Sequence, residues 1–141
     1  MSPPELDTLY AQLDWGNSSW LGWMFGSQEE IRDLQEKVAA HLGGEIQVLD
    51  LSDWKATICT VLEPCPEEYK MRWIICEPDQ IEGWTSIHLR LNERRHYLMQ
   101  SNPGGVMFAV PQGNMELTRR AGPDLWTVRT VVIGASREDP Q

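Results

Sequence analysis

Short apolar runs alternate along this chain with stripes of apolar residues at helical spacing. The apolar runs predict five buried strands, at 20–25, 46–51, 71–76, 106–110 and 126–133. Between the runs, apolar residues recur at spacings of three and four, which predicts helices that each bury one face. Buried strands alternating with such helices are typical of a mainly parallel sheet covered on both faces. The pattern therefore predicts an α/β three-layer sandwich of the flavodoxin-like or P-loop-like kind.

The predicted helices differ in how clearly their boundaries are marked. Ser27 and Glu30 form the S-x-x-E pattern of a capping box, which predicts that a helix begins directly after the first strand. An N-terminal helix is predicted within residues 1–16. One long helix is predicted at 83–99, and Asn114 is expected to cap a short one.

The chain length and the spread of these elements predict one domain. Its 141 residues suit a single hydrophobic core. We divide it into an N-terminal helix (1–16), an α/β core (20–134) and a polar tail expected to be frayed (135–141). No apolar run approaches the roughly 20 residues that cross a bilayer, and the N-terminus lacks a basic region followed by an apolar stretch. We therefore expect neither a membrane span nor a secretory signal.

The charge and the cysteines narrow the expected partners and compartment. The net charge of −9 disfavours nucleic acid and anionic membranes as partners, because both attract clustered Lys and Arg. The three cysteines are odd in number, and Cys59 and Cys76 lie inside apolar runs. This favours buried, reduced thiols over disulfides, and hence a cytoplasmic protein.

The turn after the first strand is where an α/β fold normally binds phosphate. A phosphate loop would read G-x-x-x-x-G-K-[ST], and the chain contains no Gly-Lys pair. Glu29 and Glu30 add negative charge at this turn. We therefore expect an ordinary capped helix and no cofactor; the alternative is a weak anion or nucleotide site near Gly26-Ser27.

Two carboxylates follow the third strand and are the candidate catalytic groups. Glu77 and Asp79 would lie at the carboxyl edge of the sheet, where acidic residues hold Mg²⁺ or act as general acids. We favour a solvated strand end. The alternative is a small hydrolase that cleaves NAD or nucleosides. His88 and His96 lie eight residues apart, which is not a metal-ligand spacing, so we expect surface histidines and no metal site.

Two groups of residues are candidates for protein contacts. Arg90, Arg94 and Arg95 lie close together on the predicted long helix. They form either a solvated helix face or a basic patch suited to an acidic partner helix. Trp20 and Trp23, in the first strand, belong either to the core or to an interface.

The second half of the chain carries two motifs that support a resemblance. The first is L-N-E-R-R-x-Y-L, which begins at Leu91-Asn92, and the second is A-G-P-D-L-W, which begins at Ala121. The two motifs resemble a segment of bacterial STAND-type signalling ATPases, from which Gly122 departs as an insertion. Because the phosphate loop is missing, the resemblance implies an inactive module that acts as an adaptor in signalling or anti-phage defence. The implied partner is an effector, protease or NTPase encoded nearby; a homo-oligomer is a further possibility.

The second motif is expected to be structural. Gly122-Pro123 should end the preceding short helix, because proline lacks a backbone donor. Asp124 should then accept hydrogen bonds from nearby backbone N–H groups. Trp126 should start the last strand, buried against Trp84 or Leu91.

Overall fold

The computed structural model describes residues 2–16 and 18–138. These residues form a five-stranded sheet with helices on both faces. All four strand pairings are parallel, and the strand order is β2-β3-β4-β1-β5. The predicted α/β class and three-layer arrangement are confirmed. The order differs from the 2-1-3-4-5 order of flavodoxin-like sheets.

The secondary structure consists of five strands, seven α-helices and two 3₁₀ turns in the described residues. The helices are α1 (Pro3–Trp15), α2 (Gln28–His41), α3 (Trp54–Leu62), α4 (Ile81–Asn92), α5 (Arg95–Ser101), α6 (Met115–Ala121) and α7 (Pro123–Thr127). The strands are β1 (Leu21–Gly26), β2 (Ile46–Leu49), β3 (Met71–Ile75), β4 (Val106–Pro111) and β5 (Val131–Ile133). The 3₁₀ turns are Pro78–Gln80 and Ala135–Arg137.

The sheet separates two apolar cores. Alternate residues of a strand face opposite sides, so Trp23 and Phe25 of β1 enter one core while Met24 enters the other. Helices α3, α4, α5 and α7 cover the first core, and α1 and α2 cover the second. In the residues described, none of these helices combines the length and apolar character needed to span a bilayer.

A buried arginine connects the sheet to the ends of two helices. Arg72 of β3 is 1% exposed. Its Nη1 donates to the carbonyl oxygens of Val61 and Glu63 at 3.1 and 2.6 Å, and to Asn102 Oδ1 at 3.1 Å. Asn102, directly after α5, in turn donates to Val61 O at 2.9 Å. The guanidinium thus satisfies carbonyls at the end of α3 that have no partner within the helix.

The predicted helix at 83–99 is wrong as a single element, because it is two helices. α4 ends at Asn92, and α5 starts at Arg95, after Arg94 leaves helical geometry with φ −121° and ψ 27°. The break turns the chain so that the end of α5 reaches α3. There Ser101 Oγ donates to Leu62 O at 2.6 Å.

The last predicted strand is also too long. Trp126 lies in α7, and β5 covers three residues, Val131–Ile133. Pro123 begins α7, because its missing N–H costs nothing at the first helical position. Trp126 is half-buried rather than fully buried, and its ring packs 5.4 Å from that of Trp23 rather than against Trp84 or Leu91.

His88 is buried, contrary to the prediction of a surface histidine. Its side chain is fully enclosed. Nε2 accepts a hydrogen bond from Trp23 Nε1 at 3.0 Å, and Nδ1 lies 2.9 Å from Trp84 O. These partners fix a neutral ring with the proton on Nδ1, and burial lowers the pKa of His88 to about 4.

Replacing Arg72 should destabilise the fold strongly. In Arg72→Met the carbonyls at the end of α3 and the Asn102 side chain lose a charged donor, and we expect the free energy of unfolding to fall by about 3 kcal/mol or more. Arg72→Lys should recover part of this loss, because an ammonium cannot reproduce the planar fork. Urea denaturation measures both. Arg90→Met, at an exposed position, is the control; an unchanged midpoint for Arg72→Met would contradict the assignment.

Stability should fall on acidification through His88. Because the pKa of His88 is about 4 in the folded protein and the ordinary value for histidine is 6.5, the unfolded chain binds the extra proton first. The contribution of the neutral His88 to the free energy of unfolding is complete above pH 6.5. It is lost as the pH falls towards 4, and the loss is about 3 kcal/mol in total. His88→Gln should flatten this part of the urea-derived stability profile, whereas His96→Gln should not. Parallel profiles for the wild type and His88→Gln would refute the prediction.

Candidate functional site

The sheet has one crevice of the kind that binds ligands in α/β folds. Such crevices lie at the carboxyl ends of neighbouring strands whose connections leave towards opposite faces. β1 continues into α2 on one face, and its neighbour β4 continues into α6 and α7 on the other. The crevice therefore lies beyond Gly26 and Pro111, which are paired in the register.

The turn from β1 into α2 is closed by its own side chains. Ser27 Oγ accepts from the Glu30 N–H at 3.1 Å, and Glu30 Oε1 accepts from the Ser27 N–H at 3.0 Å. This confirms the predicted capping box. The Arg137 guanidinium also binds the Glu30 carboxylate. The Ser27 N–H, together with Arg137, holds the pKa of Glu30 below its ordinary value. A phosphate placed near Gly26-Ser27 would meet this carboxylate.

The C-terminal segment, residues 134–138, crosses the same crevice. Gly134 adopts a left-handed φ of 84°, and a Cβ there would lie 2.0 Å from Phe25 O. This close approach requires glycine. Residues 135–138, which the sequence analysis expected to be frayed, instead form a 3₁₀ turn and pack on the crevice. Residues 139–141 of the predicted tail lie outside the described residues.

Glu138 fills the β4 side of the crevice. Its side chain accepts from the Gly113 N–H at 2.7 Å and from the Met115 N–H at 2.8 Å, and the residue is 9% exposed. Gln112 Nε2 donates to Arg137 O at 2.7 Å. These two backbone donors, before and at the start of α6, are thus bound by the protein's own carboxylate.

The two candidate catalytic carboxylates have different surroundings. Glu77 accepts from Gln28 Nε2 at 2.6 Å and lies 3.8 Å from Arg32 Nη2, so it connects the end of β3 to the start of α2. Asp79 is exposed in the 3₁₀ turn. Within residues 2–16 and 18–138, no group of three or more His, Cys, Asp or Glu side chains is placed to hold a metal ion.

The groove between α3 and α4 is a second surface, with an apolar floor and positively charged side chains along it. This α3–α4 groove encloses about 320 Å³. It is lined by Trp54, Lys55, Ile58, Cys59, Leu62, Arg90, Glu93 and Arg94. Two of the three predicted interaction arginines line it. The third, Arg95, is half-buried at the start of α5 and does not.

The cations of the groove have exposed side chains. Lys55, Arg90 and Arg94 are exposed, and none of the three forms a salt bridge within the part of the chain that the structure describes. Lys55 Nζ lies 5.6 Å from the Trp54 ring centroid. Glu93 is the one acidic residue among the groove-lining residues. Lys55 was not among the predicted contact residues, because nothing in the local sequence places it beside α4.

The two candidate tryptophans of the first strand belong to the core. Trp23 is fully buried and stacks on Phe108 at 5.1 Å. Trp20 is 3% exposed and closes the other core. β1 lies between β4 and β5, so its side chains are covered by helices on both faces. The interface alternative for these residues is therefore wrong for the folded chain.

The two motifs of the second half contact each other through Asn92. Asn92 Oδ1 accepts from the N–H groups of Asp124 and Leu125 at 2.7 and 3.1 Å, and its Nδ2 donates to Asp124 Oδ2 at 3.3 Å. Leu91 and Leu125 are fully buried. The expected bonds from backbone N–H groups to the Asp124 side chain are not what forms; Asn92 caps α7 instead. The motifs join α4 to α7, which is a structural role.

Comparison with protein-family models, with curated proteins and with solved structures gave no match for this chain.

Thiol reactivity should distinguish the three cysteines. Cys59 is exposed in the α3–α4 groove, contrary to the expectation of a buried thiol, and Cys76 is buried. Burial raises the pKa of Cys65, and raises the pKa of Cys76 to about 12, which removes the reactive thiolate. We expect one fast-reacting thiol per native chain with Ellman's reagent. Cys59→Ser should abolish that phase; a fast phase that persists in this variant would contradict the assignment.

Proposed function

We propose that this chain is a non-catalytic protein-interaction domain that acts as an adaptor in a bacterial signalling or anti-phage defence assembly. One observation carries the proposal. The crevice where an α/β sheet normally binds its ligand is filled by the chain's own groups, Glu30 with Arg137 on the β1 side and Glu138 on the β4 side. A domain built this way has its available recognition chemistry elsewhere, on its helical surface.

Features of both fold and sequence support the link to STAND-type ATPases. The sheet is all-parallel and has helices on both faces, as in P-loop-like folds. The missing phosphate loop and the two motifs joined by Asn92 agree with an inactive member of that group. This support is an analogy of fold and motif.

The hydrolase alternative has weaker support. A carboxylate that acts as general acid or nucleophile must be within reach of a bound substrate. Glu77 is instead held by Gln28 and faces Arg32, and Asp79 projects from the 3₁₀ turn into solvent. No observation places a nucleoside or NAD beside either group.

The cysteines and the net charge support a compartment and a class of partner for the protein. The free thiols suit a reducing compartment, and we place the protein in the cytoplasm. The partner is another protein, an effector, protease or NTPase encoded nearby, with self-association as the alternative. Neither nucleic acid nor a membrane is a partner, because the net charge of −9 repels both.

Nucleotides should leave the protein unchanged. We expect the melting temperature to stay constant with about 1 mM Mg-ATP, Mg-ADP or NAD, and NAD to remain uncleaved. A ligand bound with a Kd of about 0.1 mM would stabilise the fold by about 1.4 kcal/mol, which is a shift of a few degrees. An active P-loop ATPase serves as the positive control.

A stabilising shift with a nucleotide, or NAD cleavage that Glu77→Gln abolishes, would overturn the proposed function. In its favour would be a stoichiometric complex, rebuilt from purified components, with a protein recovered by affinity purification from the native host.

A further inference from the structure

The floor of the α3–α4 groove is an apolar stripe with the repeat of a helix. Trp54, Ile58 and Leu62 are spaced by four residues on one face of α3, and all three are half-buried. Eight residues of helix rise about 12 Å, so the stripe is long enough for two turns of a second helix. The Trp54 side chain packs closely on Gly83 of α4, where an added Cβ would lie 3.1 Å from the indole Cδ1.

Cations border this stripe on both sides. Lys55 stands on the α3 side, and Arg90 and Arg94 stand on the α4 side. On a chain of net charge −9, three cations that form no salt bridge with any described residue are a local reversal of the overall field. Such a reversal directs an acidic segment to one place on the surface and repels it from the rest.

We infer that the α3–α4 groove is the docking surface of this domain and that it takes an acidic amphipathic helix from a partner protein. This inference rests on the proposed function. The occupant places apolar residues at i, i+4 and i+7 on the Trp54–Ile58–Leu62 stripe, and Asp or Glu side chains beside them reach Lys55, Arg90 and Arg94. A helix laid in the groove packs on the outer side of α3 and α4, the helices that cover this face of the sheet.

The shape and chemistry of the groove favour a helix over other occupants. An extended peptide would add to a sheet edge through its main chain, and neither α3 nor α4 offers such an edge. Nucleic acid would need positive charge spread along a much larger surface than three side chains. The mixture of indole, aliphatic and guanidinium groups suits an acidic helix with an apolar face.

A peptide selection tests the inference. A random library of 16-residue peptides displayed on phage is selected on the intact domain, and enriched peptides are synthesised with a fluorophore. Their Kd is measured by fluorescence polarisation for the wild type, for R90E/R94E and for R119E/R120E. The last variant reverses two exposed charges on α6 and changes the net charge by the same amount. Circular dichroism and urea denaturation confirm that each variant is folded.

We expect enriched peptides to be acidic, to carry apolar residues at helical spacing, and to bind R90E/R94E weaker by about tenfold or more. The control variant should bind within about twofold of the wild type. Affinity should fall as NaCl rises, and bound peptide should protect Cys59 from Ellman's reagent, because Cys59 lines the groove. Enrichment of no peptide, of basic peptides, or of peptides that bind both variants equally would overturn the inference.

The peptide selection tests the groove, and the nucleotide and NAD measurements test the proposed function, so the failure of one can be distinguished from the failure of the other. Acidic peptides that map to another surface would refute the groove as the docking surface, but they would still support an interaction domain. Acidic peptides that map to the groove of a protein that also cleaves NAD or binds ATP would uphold the groove and refute the non-catalytic assignment.

Discussion

The buried guanidinium of Arg72 fixes the end of α3, the helix that forms one wall of the α3–α4 groove. It projects from β3 into the layer of helices and binds carbonyl oxygens at the end of α3, while Asn102 at the end of α5 binds both Arg72 and α3. A charged group without a water shell is stable only where its donors are satisfied. The end of α3 can therefore take few positions relative to the sheet. The α3–α4 groove inherits its geometry from this constraint, since one of its two walls is α3.

The carboxyl edge of the sheet shows how a fold that commonly binds ligands can be closed from within. A parallel sheet with helices on both faces creates a crevice where neighbouring connections diverge. Here Glu138 supplies a carboxylate to backbone donors of the loop after β4, and Arg137 reaches across to Glu30. The interactions that an anionic ligand would make are made within the chain. Lys55, Arg90 and Arg94, which form no salt bridge within the described residues, lie away from this edge, on the helical surface.

Several features could be predicted from the sequence because their causes are local. The capping box of Ser27 and Glu30 lies within four residues, and it formed as predicted. The apolar run of β1 could be assigned as a strand for the same reason, although only its place between β4 and β5 shows that Trp20 and Trp23 are core residues. His88 and Trp126 were misplaced, because each depends on partners far along the chain. His88 is bound by Trp23, 65 positions away, and α7 is capped by Asn92, 32 positions before Asp124.

The sequence by itself determined the alternation of strands and helices, the absence of a phosphate-loop motif, and the starts of α2 and α6 after Ser27 and Asn114. Those properties follow from periodicity, from capping residues and from motif residues that act on their own neighbours. The tertiary structure alone decided that residues 134–138 cross the crevice, that the predicted long helix breaks at Arg94, and that Lys55 and Arg90 line the same groove. Each of these depends on side chains that meet only after the sheet has formed, because their energy comes from contacts between distant segments and not from the conformation of either segment alone.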